Sequence, residues 1–269
     1  MMHAPTSPSA ALPAELPGLH DLEIVTCGDP GVSRSGQAVS WPARSAAELL
    51  WYLHAHPQGA YRARLLLDLW GDEETPAALG RFRVALHRLR AVLGGPQTVT
   101  ETAGRYALHP AVYARSDVGR QAALLTGEMS AEVCQAALAT AQGPYLPQLE
   151  TAWVRPERDR LAALHQQLAL DLSWQHCSQQ QCDCSLRELL SAAEADPLLG
   201  ENHQQRLLVC LSVQRGPVAA TDHYRRYVRY LRQEVGDGPL PETQALAQRV
   251  RQGEAACHWR QVDRPKTGD

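Results

Sequence analysis

The sequence predicts a mostly α fold, in which an N-terminal winged helix-turn-helix is followed by an all-α domain of tetratricopeptide-like helical repeats. Three observations support this prediction. Alternating apolar and polar residues, which are typical of strands, come first, between residues 21 and 42. Three helical patterns and a hairpin pattern follow up to about residue 112. Beyond that point the strand patterns end, and helical segments separated by Gly or Pro remain.

Composition places the chain among globular proteins of one large or two ordinary domains. Of its 269 residues, 44% are hydrophobic and 20% are charged, which is enough apolar material for two cores. No stretch approaches the roughly 18 consecutive apolar residues of a membrane span, and the N-terminus lacks the pattern of a secretory signal. The seven cysteines are an odd number, so we expect reduced thiols. A cytoplasmic protein with no membrane partner is therefore expected.

The first 42 residues predict a lead-in and a small sheet. Residues 1–19 are rich in Pro, Ala and Ser, so we expect them to be disordered. The sequence DLEIVTCG, from Asp21, has the alternation of a strand, and the turn GDPG follows it. A hairpin around Ser35-Gly36 is predicted before the periodicity changes.

Two helices are predicted next. Ser45-Ala-Ala-Glu48 has the spacing of a capping box, in which the Ser and Glu side chains bond the free N–H groups at a helix start. This helix is expected to end near His56-Pro57, because the residue before a proline avoids helical geometry. A second helix is predicted over about residues 62–70.

The third helix and the hairpin after it have the strongest pattern. Thr75 is a good N-cap, Pro76 suits the first helical position, and Gly94 ends the helix. Its apolar residues recur at helical spacing: Phe82, Leu86, Leu89 and Leu93. The hairpin covers residues 98–109, with its turn at Ala103-Gly104. Strands, three helices and a hairpin in this order follow the plan of a winged helix, which predicts such a domain over residues 20–112.

The distribution of charge indicates what this domain binds. Residues 75–110 hold five arginines and one acid, Glu101, although the whole chain has a net charge of −3. Four of these arginines lie on the third helix without an acid, whereas a merely solvated helix normally mixes both signs. We therefore expect helix 75–93 to lie in the major groove of double-stranded DNA, with the 98–109 hairpin as the wing.

The positions of the side chains suggest individual roles. Arg88 and Val84 lie one turn apart on the exposed face and suit base edges. Arg81, Arg83 and Arg90 suit phosphates, and Arg105 and Tyr106 in the wing suit the backbone or the minor groove. The predicted DNA-binding residues are Arg81, Arg83, Val84, His87, Arg88, Arg90, Arg105 and Tyr106. Two alternatives stay open, namely that the arginine-rich face is only a solvated surface and that Tyr106 packs on the core.

The second half predicts a helical domain over residues 115–252. Helices are expected at residues 129–142, 153–177, 185–195, 201–214, 217–235 and 242–252. Gly or Pro separates them, as at Gly216-Pro217, and helix pairs of this length favour stacked helical hairpins. The polar residues 253–269 are expected to form a flexible tail.

A cysteine-rich connection, HCSQQQCDCS, joins two of these helices. Its candidate metal-binding or redox residues are His176, Cys177, Cys182 and Cys184. The spacing Cys-x4-Cys-x-Cys matches no zinc pattern, so we expect no metal, and a plain connection with half-buried thiols is the alternative. The sequence contains no Gly-rich phosphate loop, no HExxH and no GxSxG, so neither an enzyme nor a cofactor is expected.

Longer segments of the sequence resemble a known family. SAAELLWYLHAHP, LLLDLWGDEE, ALGRFRVALHRLRAVLG and VTETAGRYAL resemble the OmpR-type winged helix. YLPQLETAWVRPERDRLAALHQQLA and ADPLLGENHQQRLLVCLSVQRGPVAATDHYRRYVRYLRQEVGDGPLPETQAL resemble the bacterial transcriptional activator domain. The matched features are Asp117-Val118, Trp153, Arg158, Asp196-Pro197, Gly216, Tyr224, Gly236 and Pro239-x-Pro241-Glu242. Residues 20–250 thus resemble SARP-like bacterial transcriptional regulators.

The resemblance implies a function and partners. It implies a transcriptional activator that binds promoter repeats in double-stranded DNA and contacts RNA polymerase. A basic winged helix commonly binds as a pair on such repeats, so we expect a homodimer on DNA. The alternative is a protein-interaction scaffold, in which the winged helix and the helical repeats bind protein partners rather than DNA.

Overall fold

The computed structural model describes residues 16–254 and Cys257. Most of the predicted lead-in, residues 1–19, and of the predicted tail, residues 253–269, therefore lies outside the described residues. The described chain forms two compact units. The N-terminal unit comprises residues 16–123 and 140–158, and the helical unit comprises residues 124–139 and those from 159 onwards. The domain boundary at residues 112–115 stays a prediction, and these units divide the chain at other positions.

The N-terminal unit begins with an antiparallel sheet of three short strands. They are β1 (Leu22–Val25), β2 (Gly31–Arg34) and β3 (Gln37–Ala38), in this order. Ile24 pairs with Val32, and both side chains are buried. The turn between β2 and β3 lies at Ser35 and Gly36, both with positive φ, as a tight hairpin turn requires. The predicted hairpin is therefore confirmed.

Three helices follow: α1 (Arg44–Ala55), α2 (Arg62–Trp70) and α3 (Pro76–Leu93). The predicted capping box at the start of α1 is wrong, because the N-cap residue is Ala43 and no side chain caps it. Glu48 instead pairs with Arg44 at 2.8 Å and accepts a hydrogen bond from the indole N–H of Trp70. The Glu48 carboxylate therefore contacts the side chains of Arg44 and Trp70 and does not cap the first N–H groups of α1.

The predicted ends of α3 are confirmed. The Thr75 hydroxyl accepts a hydrogen bond from the Ala78 N–H at 3.2 Å, and Gly94 ends the helix in the left-handed conformation. All four residues of the predicted apolar stripe are buried, and so are Ala78 and Ala85. The buried face of α3 is therefore wider than the stripe alone.

A second antiparallel sheet provides the wing. Its strands are β4 (Ala60–Tyr61), β5 (Val99–Thr102) and β6 (Arg105–Leu108), in the order β4-β6-β5. Ala103 and Gly104 form the turn of the β5–β6 hairpin, both with positive φ. The hairpin predicted over residues 98–109 is therefore confirmed, and three helices with this sheet make a winged helix-turn-helix.

Two short helices and a later segment complete the N-terminal unit. The helices, α4 (Pro110–Tyr113) and α5 (Asp117–Leu124), were not predicted. Residues 140–158 bring Tyr145 to α1, where its hydroxyl lies 2.7 Å from Nδ1 of the buried His54. Arg158 donates hydrogen bonds to the carbonyls of Tyr145 and Leu146, which fixes this segment.

The remaining helices lie in the helical unit, except that Thr140 and residues 155–158 belong to the N-terminal unit. They are α6 (Ala131–Thr140), α7 (Arg155–Ser178), α8 (Cys182–Ala195), α9 (Glu201–Tyr230) and α10 (Pro241–Arg251). Gly216 interrupts α9 with non-helical dihedral angles, so a separate helix starts at residue 217, as predicted. It is α-helical to Tyr230 and continues as a π-helical turn over Leu231–Val235, which agrees with the predicted end at residue 235. Leucines of α8 and α9, among them Leu189, Leu207 and Leu211, form the core. The predicted fold class, a winged helix followed by an all-α domain, is confirmed.

Candidate nucleic-acid interface

The exposed side of α3 presents a mixed basic and apolar surface. Arg83, Val84, His87 and Arg88 are exposed, and we call these four residues the α3 face. Residues three or four positions apart lie next to each other on a helix, so Val84 neighbours both His87 and Arg88. Phe82, Leu86 and Leu89 anchor the opposite side in the core, which fixes the orientation of this face.

The charge of the α3 face is not compensated. Within the part of the chain that the structure describes, neither Arg83 nor Arg88 forms an ion pair or a hydrogen bond. Arginines of the neighbouring helix α2 differ, since Arg62 pairs with Glu74 and Arg64 with Asp68, each at 2.7 Å. The positive potential of this region is therefore concentrated on α3.

Arg81 is held from the side of α2. Its guanidinium lies 2.8 Å from the Asp72 carboxylate and 5.4 Å from the centre of the Trp70 ring, which it covers. Both partners of this ion pair are partly exposed, so it contributes little to stability. The contact positions Arg81 beside the start of α3 rather than burying it.

Two of the predicted DNA-binding residues face the protein. Arg90 donates a hydrogen bond from Nη2 to the Val99 carbonyl at 2.7 Å, which joins α3 to the start of β5. Tyr106 is only 7% exposed and packs edge-on against Phe82. Burial raises the pKa of Tyr106, and Glu101 adds to this effect. The alternative that Tyr106 packs on the core is thus the arrangement that the structure has.

The wing presents Arg105 at the start of β6. Its guanidinium lies 5.1 Å from the centre of the Tyr61 ring and donates a hydrogen bond to the Gly59 carbonyl at 3.1 Å. The side chain is exposed despite these contacts. The tip of the hairpin, Ala103-Gly104, is exposed as well, so this end of the wing is accessible from solvent.

Comparison with protein families identifies the second half of the chain. The family model described as "Bacterial transcriptional activator domain" matches residues 113–251, which is more than half of the chain. The chain belongs to this family. Bacterial transcriptional activator domain proteins are regulators of transcription rather than enzymes, and this chain is a SARP-like regulator.

Two similar proteins agree with this membership. The chain is 28% identical to the regulatory protein AfsR of Streptomyces coelicolor over 263 residues, which cover 91% of this chain and 26% of AfsR. The chain thus corresponds to about a quarter of the length of AfsR. It also resembles the solved structure of Mycobacterium tuberculosis EmbR in complex with a low-affinity phosphopeptide. The TM-score is 0.69 at 20% identity, covering 86% of this chain and 65% of the EmbR chain, and this likeness shows the fold alone.

The connection between the two helices in the cysteine-rich segment of this SARP-like regulator is shorter than predicted from the sequence. Residues 179–181 link the two helices, because Cys177 belongs to α7 and Cys182 and Cys184 belong to α8. Nδ1 of His176 lies 2.6 Å from Oε1 of Gln181, across the turn. Among residues 16–254 and Cys257, no three His, Cys, Asp or Glu side chains come together as metal ligands. In the same ranges, no helix is long and apolar enough to cross a membrane.

Sequence reasoning missed two groups that position α3. Asp72 and Trp70 hold Arg81, and the acidic run GDEE before the helix was a signal for this contact. Arg34 of β2 reaches the last turn of α3, where Nη2 donates to the Val92 carbonyl at 3.3 Å. A cation is favourable at this helix end. No local sequence pattern predicts this contact of Arg34, because its partner is a backbone carbonyl 58 residues away.

Proposed function

We propose that this SARP-like regulator binds double-stranded DNA with α3 in the major groove and the β5–β6 hairpin as the wing. The observation that carries the proposal is the pair of uncompensated arginines, Arg83 and Arg88, on one exposed helix face. Neither guanidinium has an anionic partner among the described residues, whereas the phosphates of a polyanion would neutralise both charges and release counterions.

The α3 face offers both kinds of contact that a DNA reader needs. Arg88 is a bidentate donor of the kind that pairs with guanine, and the half-exposed Val84 beside it suits a thymine methyl group. Arg81 and Arg83 of the same helix and Arg105 of the wing are assigned to phosphates. Arg90 holds the helix to the wing and contributes to their relative placement.

The expected partners follow from the family. We assign to the protein a homodimer on promoter repeats, contact with RNA polymerase and activation of transcription. Paired winged helices bind half-sites related by the helical repeat of DNA, so one isolated half-site is insufficient at moderate concentration. These assignments rest on the family membership and on the basic α3 face together.

Salt dependence tests the proposal. Neutralising about three or four phosphates per chain predicts that log K falls against log salt with a slope of about −3 to −4. The measurement is fluorescence anisotropy of labelled fragments, chosen by in-vitro selection from genomic DNA, over a series of salt concentrations. The double variant Arg83→Gln, Arg88→Gln should reduce the slope by about 1, through the loss of the Arg83 phosphate contact, and should weaken binding to the selected sequence further through the loss of the Arg88 base contact.

A matched control comes from the helical unit. Arg215 is exposed and forms no ion pair or hydrogen bond within the described ranges, so Arg215→Gln removes a similar charge without touching α3. This variant should keep the slope of the parent protein. A flat salt dependence together with the absence of any bound DNA would support the scaffold alternative and would refute DNA binding.

The assembly and the sign of regulation have their own test. Footprinting at increasing protein concentration should protect two adjacent repeats together, and in-vitro transcription from that promoter should increase. Protection of a single half-site at saturation would contradict the paired binding. A decrease in transcription would contradict activation.

A further inference from the structure

Among the described residues, the helical unit buries a guanidinium that has no carboxylate partner. Arg206 of α9 is fully buried, and its Cζ lies 3.7 Å from the centre of the Trp174 ring. Nη2 donates hydrogen bonds to the hydroxyls of Ser173 at 2.5 Å and Ser185 at 3.2 Å. In the described ranges Nε and Nη1 have no hydrogen-bond partner. A buried cation normally has an anion beside it, so this arrangement has unused donors for one.

Three helices carry a cysteine one turn away from this guanidinium. Ser173 and Cys177 are four residues apart on α7, Arg206 and Cys210 are four apart on α9, and Cys182 is three before Ser185 on α8. Residues at these spacings share a helix face. Because Arg206 bonds both serines, the three cysteines lie on the faces that meet around it.

The direction of the helices places these cysteines at the same end. The connection between α7 and α8 is closed by hydrogen bonds from the N–H groups of Gln180 and Gln181 to the carbonyls of Cys177 and His176. Cys177 and Cys182 therefore stand on either side of one tight turn. Burial raises the pKa of Cys177, the Arg206 guanidinium opposes this, and Cys257 and then Cys182 add smaller electrostatic contributions that raise it.

Exposure distinguishes the thiols. Cys177 and Cys210 are buried, and burial raises the pKa of Cys210 to about 12. Cys182 is half-buried, so a reagent in solvent reaches it first. Cys184 is also half-buried. It is two residues after Cys182 on the same helix, so it lies on a different helix face from Cys182.

We propose that Cys182 and Cys177 form a peroxide-responsive thiol pair, in which a hydroperoxide oxidises Cys182 and Cys177 closes a disulfide. In the first step the Cys182 sulfur attacks the peroxide, an S–O bond forms and the O–O bond breaks. The alcohol or water that leaves takes the thiol proton, so sulfur loses two electrons and the peroxide gains them. In the second step the Cys177 sulfur displaces hydroxide from the sulfenic acid, which leaves as water with the Cys177 proton. The free N–H donors of Arg206 stabilise the Cys177 sulfur as it becomes anionic.

Peptide mapping of the full chain tests the pair. Reduced, desalted protein is treated with stoichiometric hydrogen peroxide, blocked with an alkylating reagent and cleaved before aspartates. Cleavage at Asp171 and Asp183 releases residues 171–182, which contain Cys177 and Cys182 but exclude Cys184. This peptide should be unalkylated and lighter by two hydrogens. Absence of a disulfide, or one that involves any other cysteine, would overturn the proposal.

Two serine variants provide the matched comparison. Cys182→Ser should leave Cys177 reduced and alkylated after peroxide, whereas Cys184→Ser, at a similarly exposed position of the same helix, should form the disulfide as the parent protein does. If both variants lost the disulfide equally, the pairing would be wrong. Because the parent protein is mapped directly, the result stands even if a variant folds poorly, which circular dichroism monitors.

Discussion

The Asp117 carboxylate accepts hydrogen bonds from both the backbone N–H and the hydroxyl of Thr26, with Oγ1 only 2.6 Å from Oδ1. The same carboxylate accepts from the N–H of Cys27 at 2.8 Å, and all three residues are buried. The first residue of α5 is thus fastened to the end of β1, 91 residues earlier in the chain. This contact explains why the compact N-terminal unit continues past the winged helix.

Asp117→Asn should destabilise the N-terminal unit by about 2–3 kcal/mol. An asparagine amide has one acceptor oxygen, whereas the aspartate carboxylate has two. The amide NH2 group would face the buried N–H and hydroxyl donors that the second carboxylate oxygen accepts from, so buried donors would lose their hydrogen-bond partner. Asp29→Asn, at an exposed position in the same unit, is the control and should change stability by less than about 0.5 kcal/mol. Urea denaturation measures both. Equal midpoints for the two variants would contradict the role given to Asp117.

The contact between Asp117 and Thr26 could not be predicted from the sequence, whereas several local features could. The periodicity of α3, its N-cap and the hairpin turns are local patterns, and the structure confirms them. A carboxylate that bonds backbone groups 91 residues away has no local pattern, so α5 and its contact were not predicted. The Ser45 capping box failed for the opposite reason, because a local motif was overridden by the Arg44–Glu48 and Glu48–Trp70 contacts.

Two helical glycines of the N-terminal unit should respond oppositely to alanine. A Cβ at Gly119 would lie 2.0 Å from the Tyr113 carbonyl oxygen, so Gly119→Ala should cost about 3 kcal/mol. A Cβ at Gly80 of α3 meets no atom within 4 Å, so Gly80→Ala should stabilise by about 0.5–1 kcal/mol through helix propensity. Thermal unfolding of both variants checks this, and a stabilised Gly119→Ala would contradict this close approach of α4 and α5.

Arg83 and Arg88 should differ in how they affect DNA binding. Arg88→Ala should cost about 1–3 kcal/mol on the preferred sequence and relax the preference at one base pair. Arg83→Ala should weaken all sequences alike and reduce the salt slope by about 1. Anisotropy with a set of single-base variants of the selected site separates the two. A uniform loss in Arg88→Ala would remove its assignment to a base.

The α3 face could be predicted because a helical wheel separates exposed from buried positions. The wheel does not say which group lies beside a residue at the edge of the stripe, so it could not show that Arg90 faces the protein. It does not apply to Tyr106, which lies on a strand. Arg90 lies at the edge of the stripe, where the Val99 carbonyl takes its guanidinium. Tyr106 alternates with more exposed residues along β6, and the Phe82 ring lies on the inner side of that strand.

His54 should make the N-terminal unit sensitive to mild acid. Burial lowers its pKa to about 4, and Asp117 opposes this only in part. Since the unfolded chain binds the proton near pH 6.5, stability that is present above this pH is lost as pH falls toward 4. Between pH 7 and pH 5 the loss should be about 2 kcal/mol. Urea midpoints at the two pH values measure it.

His54→Gln provides the comparison for this pH dependence. The amide can still meet the Tyr145 hydroxyl but does not titrate, so its urea midpoint should change much less between pH 7 and pH 5. His87→Gln, on the exposed α3 face, should keep the dependence of the parent protein. If the urea midpoint of His54→Gln fell between pH 7 and pH 5 as much as that of the parent protein, the acid sensitivity would arise from other groups.

Substitutions of Arg206 can separate the effect of its buried volume on stability from the effect of its buried charge. Burial lowers the pKa of Arg206, because removal from water disfavours the charged guanidinium. Arg206→Met keeps most of the volume and removes the unpaired charge, so the free energy of unfolding should stay equal or rise. Arg206→Ala leaves a cavity among Trp174, Ser173 and Ser185 and should cost about 3 kcal/mol. If Arg206→Met were as unstable as Arg206→Ala in urea, the two serine hydrogen bonds and the Trp174 contact would outweigh the cost of burying the charge, and the guanidinium would be a structural element of the core in its own right.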